Sequence, residues 1–218
     1  KDKIRFSVSP NGIQSMRIPA NGGSYSFMQK NAKGDYILYT RDANSKLETE
    51  LVCSTKSELA KNKSLRNAIQ PVSGQVLRKF RLAVSASGEY TQFHGGTVED
   101  ALAAINATVT RVNEVFETDL AVTFEVIATT DQVVYTNAET DPYNGDYSNT
   151  TQNTLTTVIG EANYDLGILF HKRDFGSDAN AGSIGTVCRN GIKGSAYAAT
   201  TNPIGDLFDL DFIAHEMG

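Results

Sequence analysis

Polar and apolar side chains alternate along four short stretches at the start of the chain. They are IRFSV (4–8), QSMRI (14–18), SYSFMQ (24–29) and YILYT (36–40). A period of two predicts half-buried β-strands. Turn-forming residues separate the stretches: Pro10-Asn11-Gly12, Asn21-Gly22-Gly23 and Lys33-Gly34-Asp35. We therefore expect residues 1–52 to form a small antiparallel β unit.

The next stretch, residues 53–75, is polar and has no strand pattern. Within it, Ser57–Ala68 is compatible with a short basic helix. Pro71-Val72-Ser73-Gly74 is typical of a linker. These features predict a domain boundary near residue 76, with a first unit over 1–76 and a second over 77–218.

The hydrophobic period alternates between strand and helix beyond this boundary. Strands are predicted at 76–87, 120–128 and 164–171, with two further short strands in the Gly-rich stretch 174–200. Apolar residues at helical spacing follow Thr97, a residue suited to cap a helix, and give a long amphipathic helix. A second helix is predicted at 151–162, and a third begins near Gly205. This order predicts an α/β domain.

Charge divides the chain at the same place. Residues 1–76 carry twelve Lys or Arg against six Asp or Glu, a net charge of +6. The remainder carries eight against nineteen, a net charge of -11. We expect the two parts to attract each other. The acidic larger part argues against a nucleic-acid partner, and no apolar stretch is long enough for a membrane span.

The last ten residues, DLDFIAHEMG, carry the clearest chemistry. His215 and Glu216 follow an apolar helical pattern and match the first half of H-E-x-x-H. In that motif two histidines one helical turn apart bind zinc, and the glutamate acts on the zinc-bound water. The His-Glu pair alone is weak evidence, because such a dipeptide also occurs on ordinary helix surfaces.

From Leu77 onward the chain resembles the reprolysin-like metzincin zinc metallopeptidases, particularly their exported bacterial branch. The resemblance is carried by RKFRLAVSASGEYTQFHGGTVEDALAAINATVTRVNEVFETDLAVTFEV, NYDLGILFHKRDF, AGSIGTVCRNGIKGSAYAAT and DFIAHEMG. It implies a metzincin-like N-terminal subdomain: a twisted mixed sheet with an antiparallel edge strand, a backing helix and an active-site helix. It also implies secretion and protein or peptide substrates.

The family motif is H-E-x-x-H-x-x-G-x-x-H, followed by a Met-turn. By resemblance His215 is the first zinc ligand and Glu216 is the general base that activates the zinc-bound water. The second and third histidines would lie beyond residue 218. We therefore expect this chain alone to be inactive, as an incomplete or latent proenzyme fragment. The rest of the site would have been removed by design or proteolysis, or would sit on a separate C-terminal chain.

The resemblance also implies a strand along which the substrate pairs. The candidate lies in Ala181–Val187, with Ser183, Ile184, Gly185 and Thr186 as its central residues, and the small residues of this stretch would admit a peptide backbone. An ordinary Gly-rich loop is the alternative.

The two cysteines leave several interpretations open. Cys53 and Cys188 could pair with each other, pair with cysteines outside this sequence, or stay free. Residues 1–76 stand where the end of a metzincin pro-segment would, so the Cys53 thiolate is a candidate zinc ligand that keeps the enzyme latent. The sequence around Cys53, ELVCSTK, does not match the usual cysteine-switch motif of metzincins. For Cys188 we favour a partner outside this sequence.

Two further features have structural interpretations that we prefer. His94 and His171 lack ligand spacing to a partner. The carboxylates of Asp141 and Asp146 could bind calcium through oxygen ligands, although a solvated turn explains them as well.

Two rivals to the peptidase remain: a non-catalytic peptide-binding or adhesion module in which HEMG is incidental, and a degenerate peptidase that only binds peptides.

Overall fold

The structure is a computed structural model that describes residues 1–31, 33–41, 76–173, 179–182 and 184–218. The predicted helix at Ser57–Ala68, the linker at 71–74 and Cys53 lie outside the described residues. The predicted boundary near residue 76 also falls at the edge of the described part. It stays a prediction.

The first four strands form one antiparallel sheet in the order β1-β2-β3-β4. The strands are β1 (Lys3–Ser9), β2 (Gly12–Ile18), β3 (Tyr25–Lys30) and β4 (Tyr36–Arg41). Gly12 has φ +110° at the first turn, a left-handed backbone that suits glycine. The predicted antiparallel β unit is therefore confirmed, and we call these four strands the N-terminal sheet.

A second sheet has five strands in the order β6-β5-β7-β9-β8. They are β5 (Arg78–Ala86), β6 (Val122–Val126), β7 (Leu166–Lys172), β8 (Ala179–Ala181) and β9 (Ala196–Thr200). β8 is the edge strand and pairs antiparallel to β9, while the other neighbours pair in parallel. The mixed sheet with an antiparallel edge strand is confirmed as predicted.

Helices cover both faces of this sheet. They are α1 (Gly88–Phe93), α2 (Val98–Leu120), α3 (Tyr147–Thr154) and α4 (Ala214–Met217). The Thr97 hydroxyl accepts a hydrogen bond from the Asp100 amide at 3.1 Å, so the predicted cap of α2 is present. None of the helices in the described ranges is long and apolar enough to cross a bilayer.

The bounds of one predicted helix were wrong. The helix expected at 151–162 begins earlier, because the Asp146 carboxylate caps α3. It continues as a π-helical turn over Leu155–Ile159 and ends at Gly160, where φ is +81°. The chain before α2 also contains α1, a short helix that the hydrophobic pattern did not predict, whose first turn is capped by the Ser87 hydroxyl.

The helix that ends the chain has two parts. Leu207–Ile213 is π-helical and Ala214–Met217 is α4. We call Leu207–Met217 the terminal helix. Its side chains Phe208, Phe212 and Ile213 are at most 2% exposed and join the main core between α2 and the second sheet. Burial of this apolar stripe fixes how the helix lies on the sheet.

The N-terminal sheet packs against α2 and the terminal helix through ion pairs. Arg5 of β1 contacts Glu114 and Glu117 of α2, and Arg41 of β4 contacts Asp206 and Asp211. Basic residues of the first part thus meet acidic residues of the second, as the charge division predicted.

Candidate active site

The end of the terminal helix carries two chemically active side chains, one exposed and one buried. Met217 is buried at 6% exposure on the core side, whereas His215 is exposed. Glu216 is 8% exposed. The Gly218 amide donates to the Ala214 carbonyl at 3.1 Å, so helical hydrogen bonding extends to the last residue. The predicted placement of His215 and Glu216 on a helix is therefore seen.

A pocket of about 630 Å³ opens beside these residues. Its wall on one side is the end of the terminal helix, including His215 and Glu216. Another part of its lining comes from the segment after β8, and its residues are Gly182, Ile184, Gly185, Thr186 and Val187. The structure thus brings the candidate substrate-contacting residues Ile184, Gly185 and Thr186 to the same pocket as the candidate ligand and base. Ser183 lies outside the described residues.

The strand assigned to these residues was wrong. The edge strand is Ala179–Ala181, and Ile184 and Gly185 form a turn. Gly185 has φ +77°, a conformation that cannot continue a β-strand. The pocket is therefore bordered by a short strand followed by a turn, and contact with a substrate stays a prediction.

Gly182 fixes how closely this wall approaches the helix. A Cβ atom at Gly182 would lie 2.7 Å from the backbone oxygen of Glu216 and 2.9 Å from its carboxylate Oε2. Both distances are below van der Waals contact, so only glycine permits this approach. The loop after β8 thereby limits where the Glu216 carboxylate can go.

Tyr197 of β9 lies near Glu216. Burial raises the pKa of the Tyr197 phenol, and the nearby Glu216 carboxylate raises it further. Tyr197 packs on Tyr147 with ring centroids 5.2 Å apart, and Tyr147 packs on His171 at 4.8 Å. Tyr197 therefore remains a neutral phenol at physiological pH and belongs to the polar surroundings of the candidate base.

The side chains present supply one part of a zinc site. His215 offers an exposed imidazole at the pocket, and imidazole nitrogen is a common zinc ligand. In the part of the chain that the structure describes, no group of three His, Cys, Asp or Glu residues is placed to hold a metal ion. These residues therefore fit a single ligand position and do not complete a zinc site.

The remaining histidines have structural surroundings. His171 is 5% exposed, and its ring nitrogens form hydrogen bonds with Ser87 Oγ at 2.8 Å and Tyr147 Oη at 3.2 Å. His94 bonds the Pro203 carbonyl at 3.2 Å. Burial lowers the pKa of His94 to about 4. Both histidines lie outside the pocket described above.

The candidate calcium ligands are engaged by the chain itself. Asp141 accepts hydrogen bonds from the amides of Gly88 and Tyr143, each at about 2.7–2.8 Å. Asp146 caps α3 and accepts from Asn149. Calcium binding stays a prediction.

Among the described residues Cys188 is exposed and forms no disulfide, and Cys53 lies outside them.

Reasoning from the sequence missed Gly182 and Tyr197. Gly182 stood inside the predicted edge strand, but its role depends on contact with a residue 34 positions later. Tyr197 lies in a strand whose neighbours could not be assigned before the sheet order was known. The only signal in the sequence was that both fall in the stretch AGSIGTVCRNGIKGSAYAAT.

Comparison with known proteins gives one family. The family model described as metallo-peptidase family M12B, reprolysin-like, matches residues 76–218. The match starts two residues before β5 and includes every element of the second sheet and the terminal helix. No curated protein matches the chain.

Proposed function

The chain belongs to metallo-peptidase family M12B, in its reprolysin-like group, and from this premise we propose that it carries part of a zinc-dependent endopeptidase site. The single observation that supports this most is the pocket, which the His-Glu pair and the segment after the edge strand both line. A family match together with that arrangement favours peptide-bond hydrolysis over other chemistry.

His215 and Glu216 have different roles in this proposal. The His215 imidazole would hold zinc, which when bound supplies a Lewis acid that polarises the scissile carbonyl. Glu216 takes up a proton from the attacking water at its carboxylate and passes it to the leaving amine. Its low exposure and its contact with Gly182 keep that carboxylate in one place, which is what a positioned base requires.

The substrate in this proposal is a peptide in extended form. β8 ends the strand order of the second sheet, so one of its edges is not paired with a strand of that sheet. A peptide could add to this edge by β-augmentation. Ile184 and Val187, 55% and 39% exposed, would then contact its side chains at the pocket wall.

The remaining parts of the site lie outside this sequence in our proposal. We infer that the second and third histidines of H-E-x-x-H-x-x-G-x-x-H come from residues that follow Gly218, on the same chain or on a separate C-terminal chain. The chain would then be an incomplete or latent proenzyme form, with residues 1–76 as its pro-segment. A composition rich in Thr, Asn, Ser and Gly supports secretion.

The rival interpretation, a non-catalytic peptide-binding or adhesion module, is not favoured. It treats His215 and Glu216 as incidental, yet both line the same pocket as the segment after β8. It also gives no reason for Gly182, whose missing side chain leaves room for the Glu216 carboxylate.

Cleavage of unfolded casein by the full-length gene product tests the proposal. We expect cleavage that stops with a zinc chelator and returns when zinc is added back. A zinc-free, inactive full-length protein would contradict it. A protein that binds casein tightly without cutting it would support the peptide-binding rival.

A further inference from the structure

The terminal helix and the residue that precedes it carry three aspartates before His215 and Glu216. Asp206, Asp209 and Asp211 fall within six residues, and no Lys or Arg occurs from Gly205 to Gly218. Aspartates near a helix N-terminus gain from the helix dipole, but three of them repel one another. Neutralising charge must therefore come from other elements.

Asp209 is neutralised inside the protein by α2. Arg111 Nη1 donates to Asp209 Oδ2 at 2.7 Å, and the Thr108 hydroxyl donates to Oδ1 at 2.6 Å. The Arg111 and Asp209 side chains are only 3% and 4% exposed. A charged hydrogen bond with so little solvent holds the π-helical segment firmly to α2.

The N-terminal sheet holds the same arginine from the other side. Arg111 Nη2 donates to Gln29 Oε1 of β3 at 3.2 Å. Its guanidinium also lies over the Phe27 ring, 5.6 Å from the centroid, within cation–π range. The sheet thus restricts the side chain that anchors Asp209.

The other two aspartates are held by the sheet directly. Arg41 of β4 lies 3.4 Å from Asp206 and 2.8 Å from Asp211, and the Tyr39 hydroxyl donates to Asp206 at 3.0 Å. Burial and the Asp206 carboxylate raise the pKa of Tyr39, so it remains a donor. One guanidinium therefore joins two carboxylates five residues apart, the hydrogen-bond spacing of a π-helix.

The sheet makes these contacts without entering the pocket. All the described residues that line the pocket fall between Leu166 and Gly218. Contacts from Arg41 lie at the start and middle of the terminal helix, and His215 and Glu216 are at its end. The described part of the N-terminal segment therefore contacts the terminal helix outside the pocket.

We propose that the N-terminal sheet is a positioning clamp for the terminal helix, with Arg41 and the Gln29–Arg111 pair as positioning residues for His215 and Glu216. This inference rests on the proposed function for its catalytic meaning only. The clamp and a simple inhibitory pro-segment predict opposite changes in turnover. Loosening a clamp lowers turnover, whereas removing an inhibitor raises it.

Hydrogen exchange on the chain as it stands tests the clamp without activity. In R41Q we expect amides of 207–217 to exchange about five to ten times faster, since a partly buried ion pair is lost. R17Q is the matched control, because Arg17 pairs with Asp2 inside the sheet. Equal exchange in R41Q and wild type would overturn the proposal. If R41Q fails to fold, D211N, which weakens the contact from the helix side, decides in the same way.

Turnover of the full-length gene product tests the catalytic consequence. We expect R41Q to lower kcat about tenfold at unchanged zinc content and KM, with partial rescue in R41K. A rise in kcat would overturn the clamp in favour of inhibition, and an unchanged kcat would overturn its positioning role. If the wild type holds no zinc and cleaves no peptide, the proposed function fails, and the exchange result still decides the clamp.

Discussion

A side chain on Gly182 would overlap Glu216: the first carbon would sit 2.9 Å from the Glu216 carboxylate and 2.7 Å from its backbone oxygen. The two residues belong to different elements, the segment after the edge strand and the end of the terminal helix. Their contact joins the two walls of the candidate active site. It places a precise steric limit on the proposed base.

Replacing Gly182 by Ala should therefore move Glu216. We expect a loss of about 1–3 kcal/mol in the free energy of unfolding from overpacking. In the full-length gene product we expect kcat/KM to fall about a hundredfold, as misplacement by about 1 Å can cause. Chemical denaturation and a fluorogenic peptide assay measure the two effects.

Gly23→Ala is the control for that variant. A Cβ atom at Gly23 meets only side-chain atoms, the nearest at 3.3 Å from Asn21, so little change is expected. Equal activity of the Gly182 and Gly23 variants would show that the close approach does not position Glu216.

The buried pair Arg111–Asp209 should matter more than exposed pairs. Asp209→Ala leaves the Arg111 guanidinium buried without its carboxylate, and we expect a loss of about 3–5 kcal/mol in the free energy of unfolding. Glu125→Ala breaks the Lys79–Glu125 pair, in which both side chains are 61% exposed. This substitution should change the free energy of unfolding by less than about 0.5 kcal/mol. Urea denaturation compares them. Similar losses in both variants would contradict the structure.

Sequence patterns predicted the strands other than the edge strand well, because period-two alternation and turn residues are local signals. β1 to β4 and the long helix α2 were found where the pattern placed them. The start of α3 was missed because its cap, Asp146, looked like one more polar residue of a loop.

The same reasoning predicted only part of the candidate site. His215 and Glu216 could be named because their spacing in a helix is a local property. Gly182, Tyr197 and Arg41 owe their places to contacts between residues far apart in the chain. Charge counts indicated that the first part docks on the second, but not that it docks on the terminal helix.

Stability should fall in mild acid because of His94. Its pKa drops from 6.5 to about 4 on folding, so between these values the unfolded chain binds the proton more readily. The free energy of unfolding of the wild-type chain should therefore fall by about 2 kcal/mol between pH 7 and pH 4.5 because of His94, and His94→Gln should not show this loss. Urea unfolding of both proteins at the two pH values measures the difference. A parallel decline in the two proteins would rule out His94 as its source.

Cys53 can be tested although it lies outside the described residues. If its thiolate keeps the full-length enzyme latent, Cys53→Ala should raise basal peptidase activity about tenfold or more. Cys188→Ala is the control and should leave latency as it is, because Cys188 is exposed at the turn after the edge strand. Unchanged basal activity in Cys53→Ala would remove the latency hypothesis.

The most direct measurement of the central claim compares zinc content and peptide turnover in three variants of the full-length gene product. We predict that His215→Ala loses zinc and activity together, whereas Glu216→Gln keeps zinc and loses kcat by about 10²–10⁴-fold, the usual contribution of a general base. Glu125→Gln, at an exposed site, should match the wild type in both. Full zinc content in His215→Ala, or wild-type turnover in Glu216→Gln, would contradict the assignment of these two residues to the active site.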